Sequence, residues 1–317
     1  MKKKLRVAIV AGGWSAERDV SLKSGKAVYN ALKDKDEYEA VFVDIKEDLQ
    51  FLFENRTSID IVFPLLHGSP GEDGSIQGFL NILGIPYVGS DILANAIAMN
   101  KRISKEIFKA KGLDVPEAVS IKKNEYSESL LKDIVDFGFP AVVKPVSEGS
   151  SFGISLCSDI EELREGIKKA FEYDEEILIE EFINGTEITA PIIGLDELEV
   201  LPLVEIVPKE GHKFFDFEAK YKPGATDEIC PARISEDLEE KVKETAKIAF
   251  KSIGCKIWAR VDMILKEDKI YVLEVNTIPG MTENSLFPLS ARKAGIEFSQ
   301  LLEKLISLSI SAYGRKR

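Results

Sequence analysis

The chain has 317 residues, enough for two or three compact domains, with 44% hydrophobic and 30% charged side chains. Its 42 basic against 54 acidic groups leave a formal net charge of −12, which argues against a nucleic-acid surface but leaves room for a local basic pocket. Cys157, Cys230 and Cys255 form no CxxC pair, the apolar run Val7–Ala11 is too short for a secretory signal, and no stretch approaches a membrane span. A cytoplasmic protein is expected, without disulfides, zinc or a membrane partner.

Strand and helix signals alternate over the first tract. Leu5–Ala11 reads as a strand, and Ala27, Val28, Ala31 and Leu32 mark the inner face of a helix. Glu39–Asp44 and Ile59–Leu66 read as strands and Ser75–Leu83 as a helix, which predicts a doubly wound parallel α/β domain over residues 1–97. Residues 98–186 read as a small α+β domain. It holds helices at Lys101–Ala110, around Ser129–Phe137 and at Ile160–Phe171, with strands near Val119 and at Ala141–Lys144, Ile154–Cys157 and Ile177–Phe182.

A second α+β domain is expected over 187–317. Strands around Glu187–Ile193 and Val200–Val207 open it, and a polar stretch of little periodicity, Lys209–Ala232, follows. Such a long aperiodic loop is usually a lid or a binding loop. A helix (Glu236–Ser252), a hairpin (Lys256–Thr277) and a terminal helix complete the chain.

The hairpin carries the most informative chemistry. A three-residue turn, Glu267-Asp268-Lys269, would pair Ile270 with Lys266, setting Glu274 opposite Asp262 and Asn276 opposite Arg260. Val261, Met263, Leu273 and Val275 would form the buried face. Opposed like charges are unfavourable on a sheet, but two carboxylates and an amide oxygen on one face suit magnesium. A solvated face neutralised by Arg260 is the other reading. The turn Thr277-Ile278-Pro279-Gly280-Met281-Thr282, able to aim N–H groups back at the face, favours the metal.

These residues belong to a wider pattern. Glu274-Val275-Asn276-Thr277-Ile278-Pro279-Gly280-Met281-Thr282 with Ser285 resembles the C-terminal motif of the D-alanine–D-alanine ligases. Four further stretches resemble that family in order: Gly12-Gly13-Trp14-Ser15-Ala16-Glu17-Arg18-Asp19-Val20-Ser21; His67-Gly68 with Gly71-Glu72-Asp73-Gly74; Lys144-Pro145 with Glu148-Gly149-Ser150-Ser151-Phe152-Gly153; and Glu218-Ala219-Lys220-Tyr221 with Cys230-Pro231-Ala232. Five short motifs in sequence are far more specific than any one. Asp19 stands where the family often has Glu.

The resemblance implies an ATP-grasp fold that binds ATP between its second and third domains. Lys101, Lys144, Lys220 and Ser151 in the glycine-containing loop would meet phosphates, Glu180 the adenine amino group, the backbone of Glu181 and Ile183 the ring edge, and Glu187 the ribose. Asp262, Glu274 and Asn276 would bind two magnesium ions, for which manganese could substitute. Glu17 and His67 would hold the first D-alanine, and Ser285 with the Leu286 N–H the carboxylate of the second. Arg260 and the Gly280 N–H would stabilise the tetrahedral oxyanion, and Tyr221 would close over the substrates with its hydroxyl toward the first-substrate side, near Glu17 and Ser150. The implied reaction joins two D-alanines through an acyl phosphate for peptidoglycan precursor synthesis, in a cytoplasmic homodimer. A D-alanine–D-lactate ligase, from which Tyr221 distinguishes it, another ATP-grasp carboxylate–amine ligase, and a non-catalytic nucleotide-binding protein remain alternatives.

Overall fold

The computed structural model describes residues 3–131, 138–149, 152–209 and 226–314. In the N-terminal tract, β1 (Leu5–Ala11), β2 (Tyr38–Asp44) and β3 (Ile61–Pro64) form a parallel sheet in the order β2-β1-β3. Tyr87 adds a parallel bridge to Val62. The helices of this tract are α1 (Arg18–Leu32), α2 (Gln50–Glu54), α3 (Ser75–Leu83) and α4 (Ile92–Met99). Burial on both faces explains why β1 reads as an unbroken apolar run. Val7 and Ile9 pack with Val28 and Leu32 of α1, whereas Ala8 and Val10 pack with Leu52, Ile76 and Leu80 on the other side. Ala27 and Ala31 sit half-buried at the margin of the α1 interface.

The second sheet is antiparallel, in the order β4-β7-β5-β6. It follows α5 (Lys101–Ala110) and comprises β4 (Ala118–Lys122), β5 (Ala141–Pro145), β6 (Ser155–Cys157) and β7 (Glu176–Glu181). Helix α6 (Ile160–Ala170) covers one face: Leu163, Ile167 and Ala170 pack on Ala141, Val143, Ile177 and Ile179. The helix expected around Ser129–Phe137 lies largely outside the described residues.

The third sheet holds six antiparallel strands: β8 (Thr186–Gly194), β9 (Leu198–Val200), β10 (Val204–Pro208), β11 (Thr226–Ile229), β12 (Ile257–Lys266) and β13 (Lys269–Asn276). Helix α7 (Glu236–Ser252) lays Val242, Ala246, Ala249 and Phe250 on Ile188, Ala190, Val261, Met263 and Val272. The single strand expected at Val200–Val207 is two, because Pro202 lacks the N–H a continuous ladder needs. Strand β11 falls inside the stretch expected to be aperiodic and pairs with β10.

The terminal helix is also two, α8 (Leu286–Lys293) and α9 (Phe298–Gly314). Gly295, at φ 79°, terminates the first of them: its N–H donates to Arg292 O, and the Ile296 N–H to Ala291 O. Helix α9 returns to the first sheet, where Leu301, Leu302, Leu305 and Ile306 join Val7, Ile9 and Val28. Among the described residues, no helix is long and apolar enough to cross a membrane.

Trp258 ties these parts together. Its fully buried ring meets Phe63 of β3 edge-on at 6.1 Å and Phe287 of α8 at 5.2 Å. Trp258→Ala would leave a cavity between the first and third sheets and is expected to cost about 3–5 kcal/mol. Urea unfolding of the variant against the parent protein measures this. A loss under about 1 kcal/mol, the scale of a surface change, would contradict the junction.

Candidate active site

Strand periodicity builds the cleft. On β5 and β7 the residues facing α6 alternate with Val142, Lys144 and Glu180 on the opposite face. On β12, Val261, Met263 and Leu265 face α7, while Asp262 and Ile264 face the other way. These two outward faces enclose a cleft of about 910 Å³. Lys101, Lys144, Glu148, Gly149, Glu180, Glu181, Ile183, Glu187, Asp262 and Glu274 are in its wall, among apolar Val142, Phe152, Ile154, Phe182 and Leu273. An apolar slot with a few charged groups is what a planar, charged small molecule requires.

The charged groups are paired. Lys144 Nζ lies 2.8 Å from Glu180 Oε2, and Lys105 Nζ lies 3.1 Å from Oε1 without hydrogen-bond alignment. Burial alone would raise the Glu180 carboxyl, but Lys105 and Lys144 outweigh it and hold it below the usual range. Lys101 donates to the Glu148 carbonyl, and its Nζ lies 3.8 Å from Glu274 Oε2. The Glu181 N–H already donates to the Glu117 carbonyl at 2.9 Å.

The hairpin reaches the expected pairing by an unexpected route. Lys266 pairs with Lys269 across the two-residue turn Glu267-Asp268, with Glu267 in left-handed backbone (φ 55°), so the three-residue turn does not form. A bulge between Asp262 and Met263 then restores the register, and Asp262 faces Glu274 while Arg260 faces Asn276. The bulge also corrects the expected inner face: Val272 is fully buried, and Leu273 turns to the cleft. Arg260 clamps Asp262 with two hydrogen bonds, Nε to Oδ1 at 2.8 Å and the terminal nitrogen to Oδ2 at 2.7 Å. Thr189 donates to Asp262 from the neighbouring strand, and Asn276 Oδ1 accepts from the Ile278 N–H at 3.1 Å.

Loops from the first sheet close one end. Glu17 stands at the N-terminus of α1, 5% exposed, and its side chain makes no capping bond. Gly149 comes close to Glu17: a Cβ there would lie 2.8 Å from Glu17 Oε2, so a larger residue would require the Glu17 carboxylate to move. Gly68 N–H donates to Glu72 Oε2 at 2.7 Å, and burial, with Glu17 nearby, raises the Glu72 carboxyl. His67 is 5% exposed, its Nε2 has no hydrogen-bond partner, and Arg260 is close enough to disfavour its charged form. Beyond the hairpin, Thr277 bonds Asn95 at 2.6 Å, and Ser285 Oγ accepts from the Thr282 N–H at 3.1 Å beside Gly280. Ser285 makes no side-chain cap on α8, so the Leu286 and Phe287 N–H groups can receive an anion.

Of the expected nucleotide and metal groups, Lys101, Lys144, Glu180, Glu181, Ile183, Glu187, Asp262 and Glu274 line one cleft while Asn276 is outside its wall, and Glu17 stands beside Gly149 with His67 near Arg260. Gly280, Ser285 and Leu286 cluster past the hairpin, outside the cleft wall. Ser150, Ser151, Lys220 and Tyr221 lie outside the described residues. Sequence reasoning missed Lys105, Glu72 and Thr189. Lys105 stands one turn after Lys101 on α5 and shares its buried face, a spacing that could have exposed it.

Two family profiles match the chain: "D-ala D-ala ligase N-terminus" over residues 6–58 and 50–90, and "D-ala D-ala ligase C-terminus" over residues 107–307. The D-alanine–D-alanine ligase of Syntrophobacter fumaroxidans is 47% identical over 308 residues, covering 97% of this chain and 98% of that protein. The crystal structure of the D-alanine–D-alanine ligase from Bacillus anthracis complexed with ATP superposes with a TM-score of 0.84 at 36% identity, covering 99% of this chain and all of that one. The D-Ala:D-Ser ligase VanG from Enterococcus faecalis gives 0.83 at 34% identity, covering 97% of this chain and all of that one. Two antiparallel sheets closing on a lysine- and acid-lined cleft, beside a parallel α/β unit, make this an ATP-grasp fold. The chain belongs to the D-alanine–D-alanine ligase family.

His67 offers a test of the site's electrostatics. Burial and Arg260 lower its imidazole to about 4, against a backbone hydrogen bond at Ile278. An unfolded chain takes up this proton below about pH 6.5 while the native protein resists until about 4, so stability falls with pH across that window by about 3 kcal/mol. His67→Gln should flatten this part of the acid limb in urea titrations from pH 7 to 4. An identical limb in both proteins would show that the imidazole is not held neutral.

Proposed function

We propose that the chain is an ADP-forming ligase that condenses two D-alanines into D-alanyl-D-alanine. The observation that carries this reading is the opposition of Asp262 to Glu274 on a hairpin facing the Lys144–Glu180 wall of one cleft. Such an arrangement suits phosphoryl transfer, where positioning and charge neutralisation do most of the catalysis.

In this reading Lys101 and Lys144, with Lys220 and the Ser151 loop, neutralise the phosphates of ATP. Glu180 accepts from the adenine amino group, and Glu187 from the ribose. Asp262, Glu274 and the Asn276 amide present hard oxygens on one face, which fits magnesium, and those residues would hold the ions. When bound, magnesium neutralises the triphosphate and orients it.

Glu17 pairs with the ammonium of the first D-alanine, and His67 helps to hold it. A carboxylate oxygen of that substrate bonds to the γ-phosphorus as the β–γ bridge breaks and ADP leaves. The second D-alanine is anchored by its carboxylate on Ser285 and the Leu286 N–H. Its amine, once deprotonated, bonds to the acyl carbon. Arg260 and the Gly280 N–H stabilise the oxyanion that forms, and the C–O bond to phosphate then breaks. Tyr221 closes over the substrates with its hydroxyl toward the first-substrate side, near Glu17 and Ser150, and helps to exclude water from the acyl phosphate.

The direct assay is ADP release with ATP, magnesium and one substrate at a time: D-alanine, L-alanine, or D-alanine with D-lactate or D-serine. D-alanine alone should support turnover and give the dipeptide. No D-alanine-dependent ADP would refute the reading, and a preference for D-serine or D-lactate as the second partner would redraw its specificity.

Two substitutions separate the parts. Glu274→Gln removes a charge at nearly constant volume and should lower turnover at least roughly 100-fold, about 3 kcal/mol of barrier, with the fold intact. Near-normal turnover at ordinary magnesium would contradict the hairpin's role. Glu17→Gln should weaken D-alanine binding and leave calorimetric affinity for an ATP analogue almost unchanged. A large loss of nucleotide affinity would show that this loop serves the other substrate.

A further inference from the structure

Two buried lysines share one buried carboxylate in this molecule. Lys105, Lys144 and Glu180 are 4%, 7% and 3% exposed, and the two ammonium groups approach opposite oxygens of the same carboxylate. The lysines are not equivalent. Lys144 projects from β5 into the cleft wall, within reach of a bound molecule. Lys105 projects from α5, is absent from the cleft wall, and has no hydrogen-bond partner besides the ion pair.

The arrangement matters once a nucleotide enters, and its consequence rests on the cleft being the nucleotide site proposed for it. If Lys144 turns to the phosphates, Glu180 loses one of its two counter-ions. A buried carboxylate left without a counter-ion takes up a proton. The protonation state decides what Glu180 can recognise. An ionised carboxylate only accepts hydrogen bonds, so it favours a 6-amino purine and rejects a 6-oxo purine; a carboxylic acid can also donate and tolerates both.

We propose that Lys105 is a positioning residue for the nucleotide: the permanent counter-ion that keeps Glu180 ionised when Lys144 engages phosphate, and so sets the preference for 6-aminopurine over 6-oxopurine triphosphates. Burial lowers the Lys105 ammonium to about 8, which still leaves it charged at neutral pH.

The test is calorimetric binding of ATP and of ITP, its 6-oxo counterpart, with magnesium and without D-alanine. The parent protein should prefer ATP by at least about tenfold. Lys105→Met should weaken ATP by roughly tenfold or more and ITP by under about threefold, so that the preference collapses. Lys105→Arg, which keeps the charge, should retain it. A preference unchanged in Lys105→Met, or affinities for both nucleotides lowered in equal proportion, would overturn the proposal.

A second comparison holds even if the single variant folds poorly. Glu180→Gln should itself collapse the preference, and Lys105→Met added to it should change the ratio no further. A further change in the double variant would show that Lys105 acts other than through Glu180. Failure of the parent protein to bind ATP at all would refute the nucleotide reading, whereas tight ATP binding with an unaltered ratio would sink only the role of Lys105.

Discussion

Asp262 and Glu274 face each other across adjacent strands, and the molecule is organised around the cations that relieve this repulsion. Each cation comes from a different place. Arg260, two residues along the same strand, grips Asp262 with two charged hydrogen bonds. Lys101, from the helix before the second sheet, reaches toward Glu274. Arg260 also disfavours a charge on His67, and Glu274 adds to the effect of burial and Glu17 in raising the Glu72 carboxyl. One pair of acids therefore couples loops of the first sheet, a helix beside the second and two strands of the third. Like charges are brought this close only where something else compensates them, as Arg260 and Lys101 do here, and the magnesium proposed for this face would add to that compensation.

The two walls of the cleft solve different problems. The hairpin wall concentrates negative charge and hard oxygens, whereas the opposite wall carries Lys144 paired with Glu180, and Lys105 meets the other oxygen of Glu180 from behind that wall. Apolar side chains of both walls, Val142 and Leu273 among them, stand beside the charged groups and lower the local polarity of the cleft. The covered faces of both sheets are packed apolar layers under α6 and α7, so the charged faces are held on rigid strands.

Much of this was legible in the sequence because strand and helix periods are strong signals. Helices Ser75–Leu83, Lys101–Ala110 and Glu236–Ser252 stand at the residues their patterns mark, and so does strand Leu5–Ala11. The hairpin shows where legibility ends. Its pairing of Asp262 with Glu274 is expected from a three-residue turn that does not form; the two-residue turn and the compensating bulge that produce the same pairing leave no pattern of their own, and they cost the placement of Leu273. Strand β11, Thr-Asp-Glu-Ile, is an edge strand with no apolar alternation to reveal it. The spacing of Lys105 from Lys101 marks it as sharing a buried helix face, but only the tertiary fold places Glu180 beside it.

In the proposed reaction the two walls bring a D-alanine carboxylate to the γ-phosphorus of ATP. The most direct measurement uses D-alanine labelled with oxygen-18 in its carboxylate and follows the mass of the inorganic phosphate released. Attack by the carboxylate transfers one labelled oxygen to every phosphate formed with the dipeptide. Dipeptide appearing alongside unlabelled phosphate would mean that the carboxylate never bonded to phosphorus, and the account of the cleft would be wrong.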